Sequence, residues 1–173
     1  MHPDHSRIIR SPSPEATAEI ASLLGASLRA GDVVLLSGPV GAGKSHFARA
    51  LIQSRLARLG RFEDVPSPTF TLVQSYDLGQ VELWHADLYR LSDPDEILEL
   101  GLDQAFEEAI CLVEWPERLG PLTPAGALHL SLIPADDPQT RDLLFASDTA
   151  RWDDCVATLS ANPTRKEIRH VPR

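Results

Sequence analysis

Runs of apolar residues divide the first third of the chain into a helix, a strand and a second helix. Glu15 to Leu28 carries apolar residues at helical spacing, with Ser13 suited to the N-cap and Pro14 to the first helical position. Asp32 to Ser37 is a short run rich in Val and Leu, which is typical of a buried parallel strand. His46 to Leu59 returns to helical periodicity.

The rest of the chain alternates between predicted strands and short helices. Thr69 to Ser75 and Val81 to Leu91 are predicted strands, and the short turn Asp77 to Gln80 between them makes an antiparallel hairpin. The further predicted elements are a capped helix within Ser92 to Gly101, a helix over Asp103 to Glu108, a buried strand over Ile110 to Glu114, a second hairpin of Ala127 to Ile133 with Thr140 to Ala146, and a closing helix over Asp148 to Leu159.

This order of elements predicts one α/β domain over residues 13–160. Its sheet is expected to be mixed, with a parallel centre, antiparallel hairpins and helices on its faces. Residues 1–12 are predicted to be a flexible leader and residues 161–173 a flexible tail. A chain of 173 residues is long enough for one domain with a sizeable core and short for two.

A glycine-rich segment joins the first predicted strand to the second predicted helix. The sequence GPVGAGKS, from Gly38 to Ser45, fits the phosphate-binding pattern G-x-x-x-x-G-K-[ST]. The glycines allow backbone angles that a side chain would forbid, so that successive N–H groups can surround an anion. Lys44 is expected to neutralise the β- and γ-phosphates, and the Ser45 hydroxyl to bind Mg²⁺. Because strand, loop and helix occur in the required order, the sequence predicts a P-loop nucleotide-binding protein.

Two acidic residues follow predicted strands and are candidates for work on the nucleotide. Glu114 ends a run of four apolar residues, and Asp87 follows the preceding strand. One would belong to the Mg²⁺ shell and the other would act on the γ-phosphate or on water, although each could also be a surface acid at a strand end. Ser67 and Thr69, in the sequence PSPTF, are candidate hydroxyls for sensing the γ-phosphate, and a plain Pro-rich turn is the alternative.

Other conspicuous residues are interpreted as structural. A lone histidine is more often a satisfied structural residue than a catalyst, so His85 is predicted to be structural. Trp115 follows Glu114 and is predicted to belong to the core, with a wall of the site as the alternative. Cys111 and Cys155 are expected to be buried free thiols. The arginines of the second helix and its end are predicted to form a solvated face; they are Arg49, Arg55, Arg58 and Arg61.

Composition and charge limit the possible partners. A net charge of −9 argues against unaided binding of RNA or DNA, since non-specific affinity comes from neutralising phosphates. No apolar run approaches the ~20 residues that a membrane-spanning helix needs. The first residues lack the apolar stretch of a signal peptide, so a cytoplasmic location is expected.

Four sequence stretches together resemble the TsaE family of small bacterial ATPases. They are GPVGAGKS, SPTFTLVQSY, WHADLYRLSDPDEILELGL and ICLVEWPERL, and the resemblance runs from about Glu15 to Ala146. The chain departs from the family where Pro39-Val40 replaces the more usual Asp-Leu and Ser45 replaces Thr, which leaves the phosphate loop intact.

The resemblance implies a role for each candidate residue. Lys44 would contact phosphate, Ser45 and Glu114 would bind Mg²⁺, and Asp87 would lie near the γ-phosphate. Arg141 would lie beside the nucleotide, and Pro14 would approach the adenine. The residues predicted to bind the nucleotide are Pro14, Gly38, Pro39, Val40, Gly41, Ala42, Gly43, Lys44, Ser45, His46, Thr69, Asp87 and Arg141, of which Lys44 and Asp87 are the predicted catalytic pair.

The resemblance also implies a function in tRNA modification. The family acts in making threonylcarbamoyladenosine on tRNA, so the chain is expected to be an Mg-ATP-dependent ATPase that works with TsaD and TsaB homologues. It would reach tRNA only through that complex and would hydrolyse ATP slowly alone. One alternative is a P-loop small-molecule kinase, although residues 120–125 lack the arginines of a kinase lid. A second is a nucleotide-gated binding module that hardly hydrolyses ATP.

Overall fold

The fold is built on one mixed sheet, which a computed structural model describes for residues 5–161 and 168–169. The strands are β1 (His5–Ser11), β2 (Val33–Ser37), β3 (Val73–Asp77), β4 (Glu82–Asp87), β5 (Ile110–Glu114), β6 (Leu128–Pro134), β7 (Arg141–Ser147) and β8 (Ile168–Arg169). The α-helices are α1 (Pro14–Ser27), α2 (Lys44–Ala57), α3 (Pro94–Glu99), α4 (Leu102–Glu108) and α5 (Asp153–Ser160). Two 3₁₀ helices cover Pro116–Leu122 and Ala150–Trp152.

The strand order is β3-β4-β5-β2-β6-β7-β1-β8. Strands β4, β5, β2 and β6 run parallel to one another, whereas β3, β7, β1 and β8 pair antiparallel with their neighbours. The predicted mixed sheet with a parallel centre and two hairpins is therefore confirmed. The parallel strands all end at one edge, and the P-loop begins where β2 ends.

The two faces of the sheet bury alternate residues of the central strands. On one face, Leu36 and Leu112 join a cluster that includes α1, α2 and α5. On the other face, Leu35 and Val113 join a cluster that includes α3 and α4. Because successive strand residues point to opposite faces, Asp87 and Glu114 lie on the α2 face of the sheet, in register with each other on β4 and β5.

The arginines of α2 are largely used in internal contacts. Arg49 Nε donates to Val65 O at 3.1 Å, and Arg55 Nη1 donates to Gly25 O and Leu28 O at 2.9 and 3.0 Å, at the C-terminal end of α1. Arg61 Nη1 donates to Asp77 O. The prediction of a solvated face is wrong for Arg49 and Arg55, whose hydrogen bonds to carbonyl groups are partly buried, whereas Arg58 and the side chain of Arg61 are exposed.

The described parts of the two terminal segments differ from the sequence-based expectation, and residues 1–4 lie outside the described residues. Residues 1–12 were predicted to be a flexible leader, but His5–Ser11 forms β1, paired along its length with β7, and Ile9 is buried. The sequence of this segment has no clear alternation of apolar and polar residues, so the strand is recognised only from its pairing with the edge of β7. In the predicted tail, Ile168–Arg169 pairs with β1, while residues 162–167 and 170–173 lie outside the described residues.

Strand β3 begins four residues later than the predicted Thr69. Residues 68–72 form turns instead, and Leu72 has a left-handed backbone with φ of 67°. A strand cannot continue through that conformation. In the described part of the chain, no helix is long and apolar enough to cross a membrane.

Both cysteines are buried and free, and this predicts how they react with alkylating agents. Burial raises the pKa of Cys111 to about 12, and burial also raises the pKa of Cys155, whose Sγ lies 3.0 Å from Ser27 Oγ. Because the thiolate is the reactive form, iodoacetamide at pH 8 should label neither cysteine in the native protein during a period that labels both in urea. Cys155, at 8% exposure, should react before Cys111, at 0%. Peptide mass spectrometry measures both rates, and equal native and urea rates for Cys111 would contradict the burial of β5.

Candidate nucleotide-binding site

The P-loop is shaped by glycines whose backbone other residues adopt poorly. Gly38 has φ of 148°, and a Cβ at this position would lie 2.7 Å from Leu132 O of β6. Gly43 has φ of 104° and is the N-cap of α2, where no side chain caps the helix. The first turn of α2 therefore presents backbone N–H groups toward the loop, which is the arrangement that binds anions at helix N-termini.

Lys44 lies buried across the loop at the start of α2. Its Nζ donates to Gly38 O at 2.6 Å and to Pro39 O at 2.9 Å, and lies 4.1 Å from the centroid of the Trp115 ring. Burial lowers the pKa of Lys44, and the nearby carboxylates of Glu114, Glu117 and Asp87 act in the opposite direction. The ammonium group is thus held by loop carbonyls and an aromatic face that a phosphate could replace.

Glu114 is the centre of a buried hydrogen-bond network at the end of β5. Ser45 Oγ donates to Glu114 Oε2 at 3.0 Å, and His85 Nε2 lies 2.9 Å from Glu114 Oε1. Glu114 is 2% exposed and His85 1%. A buried carboxyl group without partners would be costly, and here each oxygen has one.

Asp87 is the last residue of β4, the strand next to β5, and its side chain contacts the loop that follows α2. Its Oδ1 accepts from the Tyr89 N–H at 3.0 Å, and Thr69 Oγ1 lies 3.5 Å from its Oδ2. Thr69 Oγ1 in turn lies 2.9 Å from Ser67 Oγ. Of the two predicted hydroxyl residues, Thr69 therefore reaches Asp87 directly, and Ser67 contacts only Thr69.

These residues surround one open cavity of about 390 Å³. Nine predicted site residues line it, namely Val40, Gly41, Gly43, Lys44, Ser45, His46, Thr69, Asp87 and Glu114. Tyr89 and Trp115 also line it, with ring centroids 4.8 Å apart. Tyr89 was not predicted to belong to the site, and for Trp115 a wall of the site was the less favoured alternative. Trp115 also packs against the core, as predicted. Its position directly after Glu114 was the one sequence signal for a second role.

The remaining predicted residues support the loop from outside the cavity. Arg141 Nε donates to Ala42 O at 2.8 Å and its Nη2 to Gly41 O at 3.3 Å, which ties β7 to the P-loop. Pro14 O lies 2.9 Å from His46 Nε2, so the start of α1 reaches the start of α2. Gly38, Pro39 and Ala42 belong to the loop itself without lining the cavity.

The donor set is suited to Mg²⁺ rather than to a metal held by protein ligands alone. Within residues 5–161, no group of three or more His, Cys, Asp or Glu side chains has metal-binding geometry. Mg²⁺ is usually bound by one or two protein oxygens together with water and phosphate oxygens. A hydroxyl and a carboxylate 3.0 Å apart beside a phosphate loop, Ser45 and Glu114, fit that requirement.

The family model of threonylcarbamoyl adenosine biosynthesis protein TsaE matches residues 11–143. The chain belongs to the TsaE family. The tRNA threonylcarbamoyladenosine biosynthesis protein TsaE of Bacillus subtilis is 36% identical over 152 residues, which cover 87% of this chain and 92% of that protein. The protein of the same name from Rickettsia conorii is 38% identical over 125 residues, covering 72% of this chain and 70% of the relative.

A solved structure agrees with this assignment. The crystal structure of Bacillus subtilis YdiB superposes with a TM-score of 0.75 at 30% identity, covering 92% of this chain and 97% of that one. Together with the geometry of residues 38–45, membership of the TsaE family identifies a P-loop nucleotide-binding protein.

The position of Lys44 predicts a large loss of nucleotide affinity on its removal. Lys44→Ala should weaken ATP binding at least about tenfold, because a bound phosphate loses its charged partner. Arg58→Ala removes the same charge from an exposed position beyond the end of α2 and is the matched control. Titration of each protein with a fluorescent ATP analogue measures the dissociation constants. Equal affinity in wild type and Lys44→Ala would refute the phosphate role.

Proposed function

We propose that this chain binds and hydrolyses Mg-ATP as the ATPase subunit of tRNA threonylcarbamoyladenosine modification. The observation that supports it best is the convergence of Lys44, the Ser45–Glu114 pair and Asp87 on one cavity. These groups come from three elements whose ends meet at one edge of the sheet, which is where α/β proteins bind their ligands. The names of the family and of its relatives supply the pathway.

In this proposal Lys44 exchanges its two carbonyl partners for phosphate oxygens when ATP enters. The loop N–H groups bind the same phosphates, so that charge and backbone dipoles act on one ligand. Ser45 and Glu114 would hold Mg²⁺, which supplies positive charge against the phosphates when bound. Tyr89 and Trp115 form an aromatic wall, which limits the access of water to that part of the cavity.

Asp87 is proposed to act in the hydrolytic step. Its Oδ1 is occupied by the Tyr89 N–H, which fixes the carboxyl group and leaves Oδ2 on the Thr69 side. A fixed carboxylate at the γ-phosphate end of such a site can orient the attacking water. Through its contact with Asp87, Thr69 would then make the conformation of its own loop depend on whether that end of the site is filled.

Slow hydrolysis by the isolated chain is part of the proposal. Among the described residues, those lining the cavity include no arginine, and arginine is the usual source of transition-state charge in P-loop hydrolases. We propose that TsaD and TsaB homologues complete or stabilise the active arrangement, and that tRNA is reached only through them. The kinase alternative has less support, because residues 120–125 carry no arginine that could cover a phosphate.

Replacing each of the two acidic residues by alanine should impair ATP hydrolysis in a different way. Glu114→Ala should raise the Mg²⁺ concentration needed for hydrolysis, with partial recovery in excess Mg²⁺ or Mn²⁺. Asp87→Ala should retain ATP binding yet lose turnover by about 100-fold or more, since its action is confined to the transition state. Glu117→Ala, an exposed acid next to the site, is the control. ATPase rates against Mg²⁺ concentration, measured with partners present, separate these effects, and normal turnover by Asp87→Ala would make it a structural strand-end acid.

The proposed need for partners predicts that association with them depends on the bound nucleotide. A TsaB–TsaD pair should associate with the chain in a nucleotide-dependent manner and should raise its ATPase rate, since binding and nucleotide state are linked. Co-purification of the pair with the chain in ATP, in ADP and without nucleotide measures this association.

The isolated chain, with its net charge of −9, should bind tRNA weakly, and more weakly still as salt rises. Tight, salt-resistant tRNA binding by the chain alone, with no effect of the pair on hydrolysis, would contradict the proposal.

A further inference from the structure

His85 is a buried imidazole on the face of β4 that packs against α2. On that face Leu83 lies two residues before it on β4 and Asp87 two residues after it, while its register partners are Leu112 on β5 and Gln74 on β3. The side chain is 1% exposed, and its Nδ1 has no hydrogen-bond partner. An apolar residue of similar shape would fill this position without leaving a polar atom unpaired, so packing alone does not account for a histidine here.

The contact that His85 does make defines its hydrogen bonding. Nε2 lies 2.9 Å from Glu114 Oε1, and the other oxygen of the same carboxyl group accepts from Ser45 Oγ at 3.0 Å. A carboxylate only accepts hydrogen bonds, so Nε2 carries the hydrogen and donates it. The unpartnered Nδ1 is then an acceptor without a donor, which costs less than a buried N–H without an acceptor.

We propose that His85 is a positioning residue for the metal pair, which orients Glu114 so that Oε2 faces Ser45. A carboxyl group can rotate about its last side-chain bond, and a donor on Oε1 removes that freedom. Hydrogen bonds from buried neighbours commonly orient metal-binding carboxylates in this way. This inference rests on the proposed Mg-ATP function and assigns His85 a role that the sequence alone did not suggest.

The experiment measures how much Mg²⁺ strengthens nucleotide binding in each variant. The dissociation constant of a fluorescent non-hydrolysable ATP analogue is measured in excess Mg²⁺ and in EDTA, and the ratio of the two gives the Mg²⁺ contribution. His85→Phe keeps the ring and removes the donor, so it should leave the EDTA value within about twofold while the Mg²⁺ contribution falls about tenfold or disappears. His85→Gln returns an N–H near the position of Nε2 and should restore most of the contribution.

Two controls separate positioning from a general packing defect. Leu112→Ala disturbs the same face of the sheet and should lower stability while keeping the wild-type Mg²⁺ contribution. In a Glu114→Ala background, His85→Phe should cause no further loss, because the residue through which it acts is gone. If His85→Phe does not fold, the pair His85→Gln and His85→Asn decides, since the shorter Asn amide should lose the contribution that Gln keeps.

The possible failures are distinguishable. A wild-type protein that binds the analogue equally well with Mg²⁺ and with EDTA would refute the metal pair, and this inference with it. A normal Mg²⁺ contribution in wild type that His85→Phe leaves unchanged would overturn the role of His85 alone. Failure of Gln to restore the contribution, or equal values for Gln and Asn, would do the same.

Discussion

The buried carboxyl group of Glu114 constrains the edge of the sheet at which the central strands end. A charged group that is 2% exposed must be matched by hydrogen bonds, and here the donors come from α2 through Ser45 and from β4 through His85. The parallel pairing of β4 with β5 sets the distance to His85, and the P-loop between β2 and α2 sets the distance to Ser45. Satisfying one carboxyl group therefore fixes the relative positions of the parts that would hold a metal and a phosphate.

Lys44 extends the same principle to a cation. Its ammonium group is bound by the carbonyls of Gly38 and Pro39 and covered by the Trp115 ring, so its charge is compensated before any ligand enters. In the proposed function, ATP must replace these partners, and part of its binding energy offsets their loss. The loops of Thr69 and Tyr89 meet at Asp87 and carry the exposed rings of Phe70 and Tyr89 at the surface. Partners that touch this surface would sense the nucleotide through those loops.

Much of this arrangement could be predicted from the sequence, because its signals are local. GPVGAGKS is a contiguous pattern, and ICLVE combines a buried strand with its terminal acid, so the P-loop and the position of Glu114 at the sheet edge followed from neighbouring residues. The rest depends on contacts between distant segments. Strand β1 is defined by its pairing with β7, and the late start of β3 follows from the left-handed backbone of Leu72. The contact of His85 with Glu114 spans 29 residues and needs the register of β4 with β5, which no local pattern specifies.

The most direct test of this account is a crystal structure of the chain with Mg²⁺ and a non-hydrolysable ATP analogue. The account predicts the metal bound to Ser45 Oγ and on the Oε2 side of Glu114, with His85 still donating to Oε1. It also predicts that Lys44 Nζ has left the carbonyls of Gly38 and Pro39 for phosphate oxygens. A nucleotide bound outside the cavity, or one bound in it while Lys44 stays on both carbonyls and the metal lies away from Glu114, would contradict the account.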